Sequence, residues 1–94
     1  MKTALSAEHI KTALASLPDW RFSDGKLRRE FKFADFSQAF AFLTRVALAA
    51  EKSDHHPDIH NSFSAVTLEL SSHDAGGVTT RDLELAADID KLFD

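Results

Sequence analysis

Cysteine is absent from this chain of 94 residues. Disulfides, thiolate nucleophiles and cysteine-ligated metal or iron–sulfur centres are therefore excluded, and the sequence favours redox-neutral chemistry. Basic residues are also scarce, since 11 Lys and Arg against 15 Asp and Glu give a formal net charge of -4. A general affinity for a phosphate backbone needs a basic surface, so we expect no direct binding of nucleic acid.

Long apolar runs are missing as well. No segment approaches the roughly 20 apolar residues of a membrane-spanning helix. The start of the chain, from Met1 to Leu5, lacks the apolar core of a signal peptide. We therefore expect a cytoplasmic protein without membrane association.

The chain does contain enough material for one compact core. Hydrophobic residues make up 44% of it and eight residues are Phe, while 94 residues are too few for two domains of ordinary size. We expect a single domain over residues 1–94. Because so small a domain has little stability to spare, self-association would be a natural way to bury more of its phenylalanines.

The first half of the chain carries signals for a helix, a hairpin and a longer helix. Ser6 is a good N-cap for a helix of about three turns that Pro18 ends. The turn-like residues 23–26 separate two strands. Asp35 and Gln38 resemble a capping box for a central helix that ends near residues 51–53. Apolar residues follow helical spacing along it, namely Phe36, Ala39, Phe40, Leu43, Ala47 and Ala50.

The second half repeats the pattern of strands followed by a helix. Residues 59–72 are strand-like, since apolar and polar side chains alternate over residues 66–71, and we favour two strands over one long strand with a bulge. His73 would continue the polar face. Thr79 and Asp82 resemble a cap for a last helix. The prediction is an α+β fold of two layers in the order α-β-β-α-β-β-α, with three helices on one face of a four-stranded antiparallel sheet.

The most informative segment is Glu51-Lys52-Ser53-Asp54-His55-His56-Pro57, together with His73. Imidazole can give and take a proton at physiological pH, so histidines with acids beside them indicate proton chemistry. Pro57 cannot continue a helix, which places the two adjacent histidines at a junction between helix and strand, where function often lies.

Zinc binding by His55, His56 and His60 is the main chemical alternative. Adjacent residues of an extended segment point in opposite directions, so His55 and His56 cannot easily share one tetrahedral ion. We expect no metal.

On these residues the chain resembles the pterin-4a-carbinolamine dehydratases, also known as dimerisation cofactors of a homeodomain transcription factor. The motif of that family joins an acidic residue, His-His-Pro, an aromatic residue, a further His and a later Asp. The matching positions here are Glu51, His55, His56, Pro57, Phe63, His73 and Asp82. The resemblance covers essentially the whole chain. Phe63 stands where many members have Tyr, so any role for a phenolic hydroxyl is absent there, which matters little if the ring serves in packing.

The resemblance implies an enzyme that removes water from 4a-hydroxytetrahydrobiopterin to give the quinonoid dihydropterin, in support of tetrahydrobiopterin recycling, without metal or redox cofactor. It implies that His55 and His73 are the acid–base pair and that His56 belongs to the same pocket. The remaining implied site residues would orient the imidazoles, bind the pterin or form the wall of the site, namely Glu51, Asp54, Asp82, Arg81 and Trp20.

Several of these residues have an equally simple structural interpretation. Glu51 and Asp54 could be a polar helix end, Trp20 a core residue, and Asp82 a helix cap. His60 lies outside the motif, and we predict that it is an exposed strand residue.

The central helix suggests a second class of function. Its apolar residues face more than one direction, namely Phe36, Phe40, Phe42, Leu43, Val46 and Leu48. This pattern predicts a homodimer or homotetramer formed through the helix. The family resemblance also implies an alternative to the enzyme, a non-enzymatic, coactivator-type module that binds a protein partner through the surface used for self-association.

Overall fold

The computed structural model describes residues 3–93, and its elements follow the predicted order. The helices and strands are α1 (Ala7–Ala13), β1 (Arg21–Ser23), β2 (Lys26–Lys32), α2 (Phe36–Ser53), β3 (Asp58–Ser62), β4 (Ala65–Leu70) and α3 (Thr80–Phe93). Short 3-10 turns follow α1 at Leu14–Ser16 and β4 at His73–Ala75. The predicted α+β fold is therefore confirmed, although α1 is shorter than three turns.

The four strands form one antiparallel sheet in the order β1-β2-β4-β3. Val66, Leu68 and Leu70 of β4 are buried against the helices, whereas the alternate residues are half-buried on the other face. That second face carries cross-strand ion pairs, including Arg28 Nη1 to Glu69 Oε2 at 3.1 Å. The alternation predicted for residues 65–70 thus separates a core face from a charged face.

The helix starts follow from their capping residues. Ser6 Oγ accepts from the His9 backbone N–H at 3.1 Å, and Asp35 Oδ1 accepts from that of Gln38 at 2.8 Å. Each bond satisfies one of the N–H groups that its helix leaves unpaired at its start. No helix within residues 3–93 is long and apolar enough to cross a membrane.

Helix α2 has two apolar sides, and only one of them faces the core. Its buried residues are Ala39, Phe42, Leu43, Val46 and Ala50. Phe36, Phe40 and Leu48 are 49%, 54% and 67% exposed. The prediction that apolar residues of this helix face more than one direction is therefore confirmed, because periodicity alone already placed them on more than one side.

The second hairpin has the two strands that we favoured, joined by Phe63 and Ser64. Phe63 adopts a left-handed backbone with φ 52°. The Asn61 side-chain amide donates to the Phe63 carbonyl at 3.2 Å and to the Ala65 carbonyl at 3.0 Å, which holds the turn. Strand β4 ends at Leu70, so His73 lies in a 3-10 turn and not on the predicted strand face.

Candidate functional site

The motif histidines lie at one end of the sheet. Asp58, the first residue of β3, pairs with Glu69 near the end of β4. His55 and His56 therefore precede β3 at the same sheet end at which His73 follows β4. The fold brings together two segments that are separated by a whole hairpin.

The backbone at the end of α2 fixes the position of His55. Asp54 has left-handed φ and ψ angles of 51° and 42°, the His55 N–H donates to the Ala50 carbonyl at 3.1 Å, and the Asp54 N–H donates to the Glu51 carbonyl at 3.2 Å. Both bonds are those of a Schellman motif, which ends a helix and turns the chain sharply. The role of Asp54 that the structure shows is therefore a backbone role at the helix end.

His55 and Asp82 form a buried pair. The His55 side chain is 10% exposed and that of Asp82 is 0% exposed, and His55 Nε2 lies 2.5 Å from Asp82 Oδ1. A buried carboxylate is stable only when its oxygens accept hydrogen bonds. The second oxygen, Oδ2, accepts from Ser72 Oγ at 3.0 Å and from the Thr79 backbone N–H at 2.8 Å.

Asp82 also closes the start of α3. The bond from the Thr79 N–H to its carboxylate is the reciprocal half of a capping box, as the sequence predicted. The first turn of a helix favours negative charge, because its unpaired N–H groups form the positive end of the helix dipole. The single carboxylate of Asp82 therefore both caps α3 and bonds His55.

The bonds of Asp82 determine which nitrogen of neutral His55 carries the proton. A carboxylate only accepts, so His55 Nε2 must donate the hydrogen of their bond. In the neutral imidazole this leaves the lone pair on Nδ1, which makes no hydrogen bond to the described residues and is not among their fully buried unpartnered atoms. The arrangement can accept a proton at Nδ1 while Asp82 stabilises the imidazolium that results.

The other histidines of the motif are more open. His56 Nε2 lies 2.9 Å from Glu51 Oε1, with 55% and 76% of their side chains exposed. His73 is exposed and begins the 3-10 turn. Its neighbour Asp74 accepts from Arg81 Nη2 at 2.7 Å, so Arg81 ties this turn to the first turn of α3.

One predicted site residue, Trp20, and one further motif residue, Phe63, lie elsewhere. Trp20 is 3% exposed within the core and donates from Nε1 to Asp90 Oδ1 at 2.8 Å, so its core interpretation describes what the structure shows. Phe63 is 69% exposed at the end of the sheet opposite the histidines, and its ring does not pack on the core. His60 is exposed on β3, as predicted.

No three His, Asp or Glu side chains within residues 3–93 converge in a way that would hold a metal ion. In the described chain the site instead contains two imidazoles that bond carboxylates, His55 and His56, and the exposed His73.

Sequence reasoning missed Ser72. It lies between the end of β4 and His73, is 1% exposed, and donates to the carboxylate that holds His55. The only signal was a hydroxyl residue beside a motif histidine, and that pattern is too common in turns to single it out.

Comparison with known proteins identifies the family of this chain. The family model for pterin 4 alpha carbinolamine dehydratase matches residues 3–92. The chain therefore belongs to the pterin-4-alpha-carbinolamine dehydratase family, as the motif of histidines and acids predicted.

Individual relatives cover almost the whole chain. Proteins from Solibacter usitatus and Mesorhizobium japonicum are 48% and 53% identical over 92 and 91 residues, which are 98% and 95% of this chain and 97% and 93% of theirs. Both carry the provisional name pterin-4-alpha-carbinolamine dehydratase.

Two solved structures share the fold. A crystal structure described as a transcriptional coactivator/pterin dehydratase from Brucella melitensis has a TM-score of 0.93 and 36% identity, covering 98% of this chain and 100% of that one. A pterin dehydratase-like protein, described as a RuBisCO assembly factor of the alpha-carboxysome, has a TM-score of 0.64 and 26% identity, covering 78% and 84%.

Proposed function

We propose that this protein dehydrates 4a-hydroxytetrahydrobiopterin by histidine general acid–base catalysis and so supports tetrahydrobiopterin recycling. In this reaction the bond between C4a and the hydroxyl oxygen breaks, the N5 lone pair forms a double bond to C4a, and the N5 proton passes to a base. Hydroxide is a poor leaving group, so an acid must protonate it as it departs. Water and the quinonoid dihydropterin are the products.

The observation that carries this proposal is the buried bond between His55 and Asp82. A carboxylate that orients an imidazole and leaves its second nitrogen open is the arrangement that proton transfer at neutral pH requires. Each imidazole positioned in this way contributes roughly 10²–10⁴-fold to the rate. His55 and His73 are the acid–base pair of the proposal, with His55 held by Asp82 and His73 held by its turn.

The neighbouring residues then take supporting roles. His56, oriented by Glu51 at 2.9 Å, belongs to the same catalytic site and binds substrate. Arg81 bonds Asp74 and so holds the turn that begins with His73. In this proposal Arg81 acts on the position of His73 more than on the pterin directly.

The test is the rate of dehydration of enzymatically generated 4a-hydroxytetrahydropterin, followed by ultraviolet absorbance. Wild type would be compared with His55→Ala, His56→Ala and His73→Ala, each checked for folding by circular dichroism. His60→Ala is the matched control, because His60 is exposed on β3 and lies outside the motif.

We expect acceleration by wild type and by His60→Ala, and a loss of roughly 10²-fold or more in His55→Ala and His73→Ala. Folded wild-type protein that leaves the uncatalysed rate unchanged would refute the proposal. Equal losses in all four variants would show that the assay reports stability and not the chemistry of the motif.

The exposed side of α2 supports a second proposal, that the protein assembles through this helix into a homodimer or homotetramer. Phe36 and Phe40 stack with ring centroids 5.6 Å apart, and Leu48 lies further along the same helix. Rings exposed to this extent form an apolar surface that self-association would bury.

The same surface favours the other candidate function, a module that binds a protein partner without catalysis. The relatives described as a coactivator/dehydratase and as an assembly factor show that the fold is compatible with such roles in those proteins. Partner binding through α2 would not need the histidines, so the histidine variants separate the two functions.

A further inference from the structure

Ser72 occupies a position between the two histidines of the proposed acid–base pair. It is 1% exposed, so it cannot contact substrate in this conformation. Its hydroxyl bonds the carboxylate that holds His55, and its chain neighbour is His73. Nothing in the family motif refers to this residue.

The hydrogen bonds around Ser72 have only one consistent direction. Asp82 Oδ2 only accepts, so the single hydroxyl hydrogen of Ser72 is donated to it at 3.0 Å. The bond of 2.8 Å between Ser72 Oγ and Thr79 Oγ1 must then be donated by Thr79. The Arg81 backbone N–H donates in turn to Thr79 Oγ1 at 3.3 Å. A chain of donors thus starts in the first turn of α3 and ends on Asp82.

This chain leaves Asp82 little freedom. Its Oδ2 atom receives two hydrogen bonds, from the Ser72 hydroxyl and the Thr79 N–H, and its Oδ1 atom bonds His55 Nε2. Surroundings of low dielectric constant strengthen such hydrogen bonds, and they make a buried polar atom without a hydrogen-bond partner costly. Removal of the Ser72 hydroxyl would therefore loosen the carboxylate without removing it.

The backbone of Ser72 fixes the other histidine. Its N–H donates to the Gly77 carbonyl at 2.8 Å and its carbonyl accepts from the Gly77 N–H at 3.3 Å. These two bonds form an isolated bridge that closes the loop containing the 3-10 turn His73–Ala75. Gly76 completes the loop with a left-handed φ of 74°, a conformation that glycine adopts without strain.

We propose that Ser72 is a positioning residue for both histidines, acting through its hydroxyl on His55 by way of Asp82 and through its backbone on His73. This inference rests on the proposed dehydratase function for its kinetic consequence. Its structural part, the hydrogen bond that holds Asp82 against His55, stands independently of any activity.

The test compares Ser72→Ala with wild type in two measurements. The first is kcat and KM for dehydration. The second is the solvent exchange of the His55 Nε2–H, observed by NMR on protein with ¹⁵N-labelled histidine and assigned by its loss in His55→Ala.

Ser71→Ala is the matched control, since Ser71 is a half-buried serine one position away that makes no side-chain hydrogen bond to the described residues. If Ser72→Ala does not fold, Ser72→Cys, whose thiol is a weaker donor, replaces it.

For Ser72→Ala we expect kcat to fall roughly tenfold, the scale of one hydrogen bond to a charged group, with KM unchanged. The His55 Nε2–H should exchange faster in this variant and as in wild type in Ser71→Ala. An unchanged exchange rate in the Ser72 variant would overturn the proposal, whatever happens to kcat. Faster exchange in a protein whose wild type lacks dehydratase activity would support the hydrogen-bond role while refuting the proposed function.

Discussion

His55 Nε2 and Asp82 Oδ1 lie 2.5 Å apart although the two residues are 27 positions apart in the chain. His55 follows the end of α2, which backbone hydrogen bonds cap, and Asp82 lies at the start of α3, which its own carboxylate caps. The hydrogen bond between them therefore forms only when both helix ends adopt these capped conformations. That dependence leads to separate predictions for the side chains and for the backbone.

Asp82→Asn should lower kcat for dehydration by roughly 10²-fold or more while the fold is retained. The amide oxygen of the new side chain can still accept hydrogen bonds, but its NH₂ group can only donate. With the NH₂ group facing His55, Nε2 must become the acceptor, so the imidazole changes to the tautomer protonated at Nδ1. Its Nδ1 would then carry the proton and could not act as a base. Dehydration kinetics and circular dichroism check the two parts of this expectation.

The control for that experiment is Asp88→Asn, which makes the same chemical change at an exposed position of α3. Asp88→Asn should behave as wild type. Full activity in folded Asp82→Asn would show that the tautomer of His55 does not matter to the reaction.

Asp54→Gly should raise the free energy of unfolding by about 0.5 kcal/mol. The left-handed backbone costs an ordinary residue about 1–2 kcal/mol, and glycine removes this cost. The greater flexibility of glycine in the unfolded chain takes back roughly 0.5–1 kcal/mol of that gain. Urea denaturation measures the change. Activity should persist, because the structure shows a backbone role for Asp54.

Asp54→Asn is the companion variant, since it removes the charge and keeps a residue that tolerates this backbone. If both folded variants lose activity, the Asp54 carboxylate belongs to the substrate site and the backbone explanation is insufficient.

Trp20→Phe should lower the free energy of unfolding by roughly 1–3 kcal/mol, through the lost bond to Asp90 and the smaller ring. Asp90 keeps its bond of 2.6 Å from Arg29 Nη1, so the carboxylate is not left unpaired. KM for the pterin should not change. Phe22→Leu, at a 40% exposed position on the adjacent strand, is the control for a general aromatic effect. A raised KM in Trp20→Phe would instead place the indole in the substrate site.

Phe40→Glu should reduce the molar mass measured by light scattering at micromolar concentration, because it puts a charge into the exposed apolar side of α2. Gln38→Glu adds the same charge at an exposed position on the same helix and should leave the mass unchanged. Wild-type protein that is already monomeric at this concentration would contradict the proposed assembly through α2.

Local signals predicted most of the fold, because caps and periodicity are properties of neighbouring residues. Ser6, Asp35 and Thr79 cap their helices as expected, and Val66, Leu68 and Leu70 face the core. The two apolar sides of α2 could not be distinguished in the same way, because which side meets the sheet depends on tertiary packing.

Of the site, only the residues that belong to the family motif could be predicted from the sequence. The motif named His55 and Asp82 but not the bond between them, which is a contact between distant parts of the chain. Ser72 carried no signal because its role depends on that contact. The left-handed backbone of Asp54 was equally hidden, since glycine is the usual residue at that helix position.

Asp82 serves as the helix cap of α3 and as the partner of His55 with a single carboxylate. Fraying of the first turn of α3, which is a local opening far smaller than global unfolding, therefore releases the imidazole. We therefore expect the bond between His55 and Asp82 to be lost on heating before the core unfolds. A substitution that strengthens the start of α3 would extend the working temperature range without touching a histidine.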